Sequence, residues 1–115
     1  MLIRSQDKRM IVNFENICTV SAFPEKDSED IYVEDGTGSL MVGRYSTKAK
    51  AMKVLDMIQE AYEEYKITCT FLTGFTGHRA IVESNDIHVN GFKELVKSFK
   101  KNMVFQMPED GSVEV

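Results

Sequence analysis

The chain divides into a strand-and-helix framework and one insert. Short strand-like segments fill residues 1–45, and a helical pattern of apolar residues follows over residues 46–66. A last strand-like segment closes the framework at 103–108, so the framework comprises 1–66 and 103–108 and the insert 67–102. We expect residues 109–115 to form a frayed tail. The 115 residues predict a single domain over 1–115.

The framework predicts an antiparallel β-meander that one long helix covers. Asp35 and Gly36 lie between two strand-like segments, and an Asp-Gly pair is typical of a tight hairpin turn. After Ser46 or Thr47 as the helix cap, apolar side chains recur at helical spacing and form one stripe. The stripe consists of Ala51, Val54, Leu55, Ile58, Ala61, Tyr62 and Tyr65.

The insert predicts a β-hairpin followed by a second helix. β-branched and aromatic residues fill 67–73 and favour a strand, and two glycines, Gly74 and Gly77, favour a turn. Residues 79–83 favour the return strand. Asn90 caps a helix whose apolar stripe is Phe92, Leu95, Val96 and Phe99. The predicted fold class is therefore α+β: an N-terminal antiparallel β-meander covered by one long helix, with an inserted β-hairpin plus second helix and a short C-terminal strand.

Composition excludes several classes of protein. No run approaches the roughly 20 apolar residues of a membrane span, and the N-terminus lacks the apolar core of a signal peptide. The two cysteines, Cys18 and Cys69, predict reduced thiols in a cytoplasm. The net charge of −4 disfavours general nucleic-acid binding.

The sequence contains no catalytic or metal-binding signature. Cys18, Cys69, His78 and His88 do not have the spacing of zinc ligands, and the acidic residues fall in turns and on helix faces. We therefore expect a protein that is not an enzyme, with no metal and no cofactor.

The insert is the net-positive part of an acidic chain. Residues 67–107 hold five basic and three acidic residues. Two glycines three apart let backbone N–H groups converge on an anion, and the nearby Arg79 can bind phosphate through two N–H groups. An exposed Phe75 can stack on a base. The alternatives are a solvated helix face and a plain turn that buries Phe75.

Three framework segments resemble small proteins of Firmicutes phages and prophages. They are Leu-Ile-Arg-Ser-Gln-Asp at 2–7, the helix segment 45–58 and Val-Phe-Gln-Met-Pro at 104–108. Within that group the layout is similar to the Thoeris anti-defence sponge proteins. The resemblance covers the framework and not the insert.

The resemblance implies a cytoplasmic, oligomeric phage protein in a bacterial host cell. Such proteins sequester cyclic ADP-ribose isomers in pockets between protomers, with an aromatic residue on adenine and arginines on phosphate, and they perform no catalysis. We therefore expect a homo-oligomer that binds this small-molecule nucleotide signal, with no membrane partner. The candidate ligand-binding residues are Phe23, Lys26, Phe75, His78, Arg79, Asn85, Lys97 and Lys101.

Two other functions fit the same residues. A phage inhibitor of a host defence complex, such as an anti-CRISPR protein, would use the basic helix against an acidic protein surface. An oligomeric structural protein would need no ligand at all.

Overall fold

The computed structural model describes residues 1–73, 97 and 99–115. Within these residues the protein has the predicted mixed α+β architecture. The strands are β1 (Leu2–Arg4), β2 (Ile11–Asn13), β3 (Thr19–Pro24), β4 (Glu29–Glu34), β5 (Ser39–Tyr45) and β6 (Val104–Gln106). The long helix is α1 (Lys48–Thr73), and 3-10 turns occupy Phe14–Asn16 and Asp110–Ser112. Residues 97 and 99–101 belong to a short second helix.

The strands form two sheets, whereas the sequence predicted one N-terminal meander. The meander sheet has the order β3-β4-β5 and is antiparallel throughout. The second sheet, which we call the N–C sheet, has the order β2-β1-β6 and pairs β1 with β6 in parallel. The prediction was wrong for β1 and β2 because the 3-10 turn after β2 redirects the chain, and β6 then pairs with the remaining edge of β1.

The meander sheet contains a β-bulge between β4 and β5. Tyr32 lies opposite Met41, but Ile31 lies opposite Gly43, so β5 holds one extra residue. Gly43 allows the C-terminal segment to approach closely, because a Cβ there would lie 3.0 Å from the Met107 Cε atom. Met107 is buried, and it packs where the two sheets meet.

Helix α1 covers the inner face of the meander sheet, as the sequence predicted. The Thr47 hydroxyl oxygen accepts a hydrogen bond from the Lys50 backbone N–H at 3.2 Å and caps the helix. Ala51, Val54 and Ile58 lie on one helix face and are buried in the core.

The predicted strand over residues 67–73 is wrong, because α1 continues to Thr73. The segment between Lys66 and Thr73 contains neither glycine nor proline, so each added residue extends an existing helix at little cost. The Thr70 hydroxyl group donates a hydrogen bond to the Lys66 carbonyl oxygen at 2.9 Å, within the helix. The boundary of the insert at residue 67 therefore falls inside a continuous helix. The predicted turn and return strand lie outside the described residues.

The C-terminal tail is packed against the body of the protein, so the prediction of fraying at 109–115 is wrong. The Asp110 carboxylate accepts hydrogen bonds from the Ser46 backbone N–H and hydroxyl groups at 2.8 and 3.0 Å. The Lys50 ammonium group lies 3.5 Å from the same carboxylate, and Val113 is buried. The tail thus joins the start of α1 to the N–C sheet.

Candidate functional site

The structure describes four of the eight candidate ligand-binding residues. Phe23 lies near the end of β3, and Lys26 lies in the turn that leads to β4. Lys97 and Lys101 belong to the short second helix, and all four side chains are exposed. The other four, which are Phe75, His78, Arg79 and Asn85, lie outside the described residues.

Phe23 belongs to a continuous face on the outer side of the meander sheet. Cross-strand pairing places Phe23 opposite Asp30 and Asp30 opposite Arg44, while Tyr32 lies opposite Met41. Because alternate residues of a strand point to the same side, these five side chains share the face that α1 does not cover. We call this set, Phe23, Asp30, Tyr32, Met41 and Arg44, the aromatic–arginine face.

Asp30 and Arg44 form a bidentate ion pair at the centre of this face. The Arg44 Nε atom donates to Asp30 Oδ1 at 3.1 Å, and its Nη2 atom donates to Oδ2 at 3.1 Å. The Ser28 hydroxyl group donates to Oδ1 at 2.9 Å. The Asp30 side chain is 1% exposed, whereas the Arg44 side chain is 63% exposed. The pair therefore holds the guanidinium group in a fixed orientation with part of it open to solvent.

The ion pair keeps both groups charged. Burial opposes the ionisation of Asp30, but the hydrogen bonds from Arg44 and Ser28 outweigh burial and hold its pKa below the ordinary value. The hydrogen bond to Asp30 and the Asp30 charge raise the pKa of Arg44. Arg44 therefore presents a permanent positive charge, while Asp30 is fully engaged and is not placed to act as a base.

Phe23 and Tyr32 form an aromatic pair beside Arg44. Their ring centroids lie 6.0 Å apart in an edge-to-face arrangement, and Phe23 is 49% exposed. The Tyr32 hydroxyl group donates to the Glu25 carboxylate at 3.2 Å; burial, followed by this hydrogen bond, raises the pKa of Tyr32. The Phe23 ring is thus held by one neighbour and keeps a free surface for stacking.

An open cavity of about 400 Å³ lies on this face. It is lined by Phe23, Pro24, Glu25, Tyr32, Glu34 and Ser39. The two carboxylates of the lining disfavour an anion at the cavity floor. Arg44 and Lys26, the basic residues of this face and of the adjoining turn, are not among these lining residues.

Cavities elsewhere in the described chain have different linings. A groove of about 450 Å³ separates β2 from the β4–β5 hairpin, and no lysine or arginine of the described residues lines it. A smaller cavity of about 150 Å³ lies between α1 and the N–C sheet and is lined in part by Lys101 and Glu64. Phe23 and Lys101 thus line different cavities, and the candidate residues are divided between two regions of the described chain.

The face provides an aromatic ring and a guanidinium group that are suited to binding. Among residues 1–73, 97 and 99–115, no group of three or more His, Cys, Asp or Glu side chains can hold a metal ion. In the same part of the chain, no helix combines the length and apolar character needed to cross a bilayer. What the face offers chemically is ring stacking and charge-assisted hydrogen bonding.

Sequence reasoning identified Phe23 and Lys26 but missed Arg44, Asp30 and Tyr32. The Asp35-Gly36 turn predicts that β4 and β5 pair, and this signal could have placed an arginine near an acidic residue of β4. Which residue of β5 lies opposite Asp30 depends on the bulge. A regular hairpin register would set Asp30 against Gly43 instead of Arg44.

Comparisons of the chain with protein-family models, with curated proteins and with solved structures give no match.

Proposed function

We propose that this protein is a phage anti-defence protein that binds and sequesters a cyclic ADP-ribose-type nucleotide signal without catalysis. The observation that carries the proposal is the aromatic–arginine face, where a half-exposed Phe23 ring and a fixed, partly open Arg44 guanidinium group lie on the two strands that flank β4. An adenine ring needs a stacking surface, and a diphosphate needs cationic donors. The framework resemblance to the Thoeris anti-defence sponge proteins supports the same ligand class.

Sequestration requires that the ligand leave the protein unaltered. Asp30, the buried carboxylate of the face, is held by Arg44 and Ser28 through both oxygens. Glu25 accepts a hydrogen bond from Tyr32. A face of this kind binds and releases a nucleotide, and it has no activated group aimed at a phosphodiester or glycosidic bond.

Calorimetry against cyclic ADP-ribose isomers and cyclic oligonucleotides tests the proposal, followed by chromatography of the recovered ligand. Phe23→Ala should weaken binding by about 5- to 150-fold through the loss of a stacking contribution of about 1–3 kcal/mol. Met52→Ala on α1 is the matched control, because Met52 is 45% exposed and lies away from the face. An unchanged affinity of Phe23→Ala would mean that the nucleotide does not bind at the aromatic–arginine face.

The insert is tested separately through Arg79. Arg79→Ala should weaken binding by more than about tenfold, since charge-assisted hydrogen bonds to phosphate contribute about 1.5–3 kcal/mol each. Arg9→Ala, in the exposed β1–β2 turn, serves as the arginine control. Recovery of hydrolysed ligand would indicate an enzyme instead of a sequestering protein.

A second candidate function is a protein-binding inhibitor of a host defence complex. Phe23 and Met41 are 49% and 42% exposed on one sheet face, and apolar side chains exposed beside an arginine are typical of protein interfaces. A chain that gives no heat with any of these nucleotides would favour this function. The protein has no tryptophan, so a co-purified nucleotide absorbing near 260 nm after deproteinisation would favour the first.

A further inference from the structure

We propose that a second copy of this chain pairs edge to edge with β3, so that two meander sheets form one continuous six-stranded sheet across a two-fold axis. The inference concerns the interface and does not depend on the nucleotide. It rests on the length, the lack of charge and the hydrogen-bonding pattern of β3, which no other described sheet edge combines.

β3 is the longest open edge in the described part of the chain. β2 and β6 are edge strands of three residues each, and short edges pair poorly. Gln6 covers part of the outer edge of β5, because its backbone N–H donates to the Val42 carbonyl oxygen at 2.8 Å. The Gln6 side chain also accepts from the Arg44 backbone N–H at 2.8 Å. β3 has six residues, and among the described strands it pairs with β4 alone.

The hydrogen-bonding pattern shows which groups of β3 face outward. The Glu25 backbone N–H donates to the Ser28 carbonyl oxygen at 2.8 Å and closes the β3–β4 ladder. In the register of this ladder, Thr19, Ser21 and Phe23 direct their backbone groups to β4. Val20 and Ala22 therefore direct theirs away from the sheet. Pro24, which lacks an N–H group, stands at the next outward position, where a proline on an edge strand costs no bond to β4.

This pattern is complementary to itself. A two-fold axis at Ser21 sets Val20 of each copy opposite Ala22 of the other, and the two pairs exchange four N–H···O bonds. Such an axis brings residues close to it near their own copies, so a charge there would meet a like charge. Residues 17–24 contain no charged side chain, whereas free edges are usually protected by lysine or other charges.

A second β3 strand would also bury more apolar surface at the edge of the core. Val20 and Ala22 pack against the buried core but remain half-buried at the sheet edge. A neighbouring strand would remove more of their apolar surface from water. On the outer side, Phe23 of one copy would lie beside Thr19 of the other, and the joined sheet would display two aromatic–arginine faces side by side.

Light scattering on the full chain tests the interface. The wild-type protein should have a mass of at least twice the 13.1 kDa of one chain. Ser21→Lys should lower that mass, because it sets two lysines against each other at the axis while its side chain points to the outer face. Ser39→Lys, on the far strand of the same sheet, is the matched control and should leave the mass unchanged. Circular dichroism should show all three proteins folded.

Amide hydrogen exchange gives a second and independent measurement. The Val20 and Ala22 amides should be protected in the wild type and should exchange faster on dilution or in Ser21→Lys. The Ile11 and Asn13 amides, which face outward from the shorter edge β2, should show no such dependence. A wild-type mass of one chain, an oligomer that survives Ser21→Lys, or rapid exchange of Val20 and Ala22 in the oligomer would each overturn the proposal.

Discussion

The two sheets of this protein differ in how their strands are distributed along the chain. The meander sheet uses three consecutive strands between Thr19 and Tyr45. The N–C sheet joins β1 and β2, at the start of the chain, to β6 at Val104–Gln106. A consecutive sheet forms from local pairings, whereas the N–C sheet must first bring two distant segments together. The N–C sheet is therefore complete only when the C-terminal segment has joined the N-terminal strands.

The contacts of residues 106–108 show how this segment serves both sheets. The Met107 backbone N–H donates to the Arg4 carbonyl oxygen at 3.0 Å, on the N–C sheet. The Pro108 carbonyl oxygen accepts from the Tyr45 hydroxyl group at 2.8 Å, at the end of the meander sheet. The Met107 side chain lies against Gly43 and is 1% exposed. Truncation of the Met107 side chain should therefore lower the stability of both sheets.

The largest effect is expected for Met107→Ala. Truncation of a fully buried methionine leaves a cavity and should lower the free energy of unfolding by about 2–5 kcal/mol. Met103→Ala is the matched control, because Met103 is 45% exposed and its truncation should change stability by no more than about 0.5 kcal/mol. Urea unfolding of both variants measures the difference. Equal stabilities would mean that packing of the Met107 side chain does not stabilise the junction of the two sheets.

The sequence predicted the meander sheet better than the N–C sheet, because the turns that pair consecutive strands leave signals in nearby residues. The Asp35-Gly36 turn and the alternating strands around it predicted the β4–β5 hairpin. No local feature of the segment 2–5 indicates that its partner lies about a hundred residues away and runs parallel. For α1, the apolar stripe predicted the buried face, but the β-branched residues after Lys66 predicted a strand where the helix continues to Thr73.

The candidate site shows the same division. Phe23 became a candidate through its aromatic side chain, which is a property of a single residue. Arg44 was missed because its pairing with Asp30 depends on the bulge between β4 and β5. An extra residue in one strand leaves no clear signal in the sequence, yet it decides which side chain faces Asp30. Tyr32 gave only a strand signal, and its contact with Phe23 follows from the register of β3 and β4.

A smaller effect is expected for Asp30→Asn, which affects the meander sheet alone. The amide keeps the size of the side chain but cannot accept both Arg44 hydrogen bonds as a charged group. We expect the free energy of unfolding at neutral pH to fall by about 1.5–3 kcal/mol. Asp56→Asn, exposed on α1, is the control and should have little effect. A stability equal to that of the wild type would show that the ion pair contributes nothing to the sheet.

The pH dependence of the same variant gives a sharper test. The folded state holds the pKa of Asp30 below its ordinary value, so its stabilising contribution is fully present above the unfolded pKa of about 3.9. That contribution is lost as the pH falls through the lower, folded pKa. The difference between wild type and Asp30→Asn should therefore be largest above about pH 4 and should shrink in more acidic solution. A difference that grows on acidification would contradict the assigned direction of the shift.

The smallest effects are expected at the two hairpin turns, one in each sheet. In the N–C sheet, Lys8 adopts a φ of 65°, and in the meander sheet Gly36 adopts a φ of 92°. A side chain at positive φ costs about 1–2 kcal/mol, whereas glycine avoids this strain but loses more entropy on folding. Lys8→Gly should therefore raise the free energy of unfolding by a few tenths to about 1 kcal/mol, after the entropy cost of about 0.4–1 kcal/mol is subtracted. Gly36→Ala should lower the free energy of unfolding by about 1 kcal/mol or more. Chemical unfolding of the two variants tests these opposite signs. A loss of stability in Lys8→Gly would indicate that the Lys8 side chain stabilises its turn by more than its backbone strain costs.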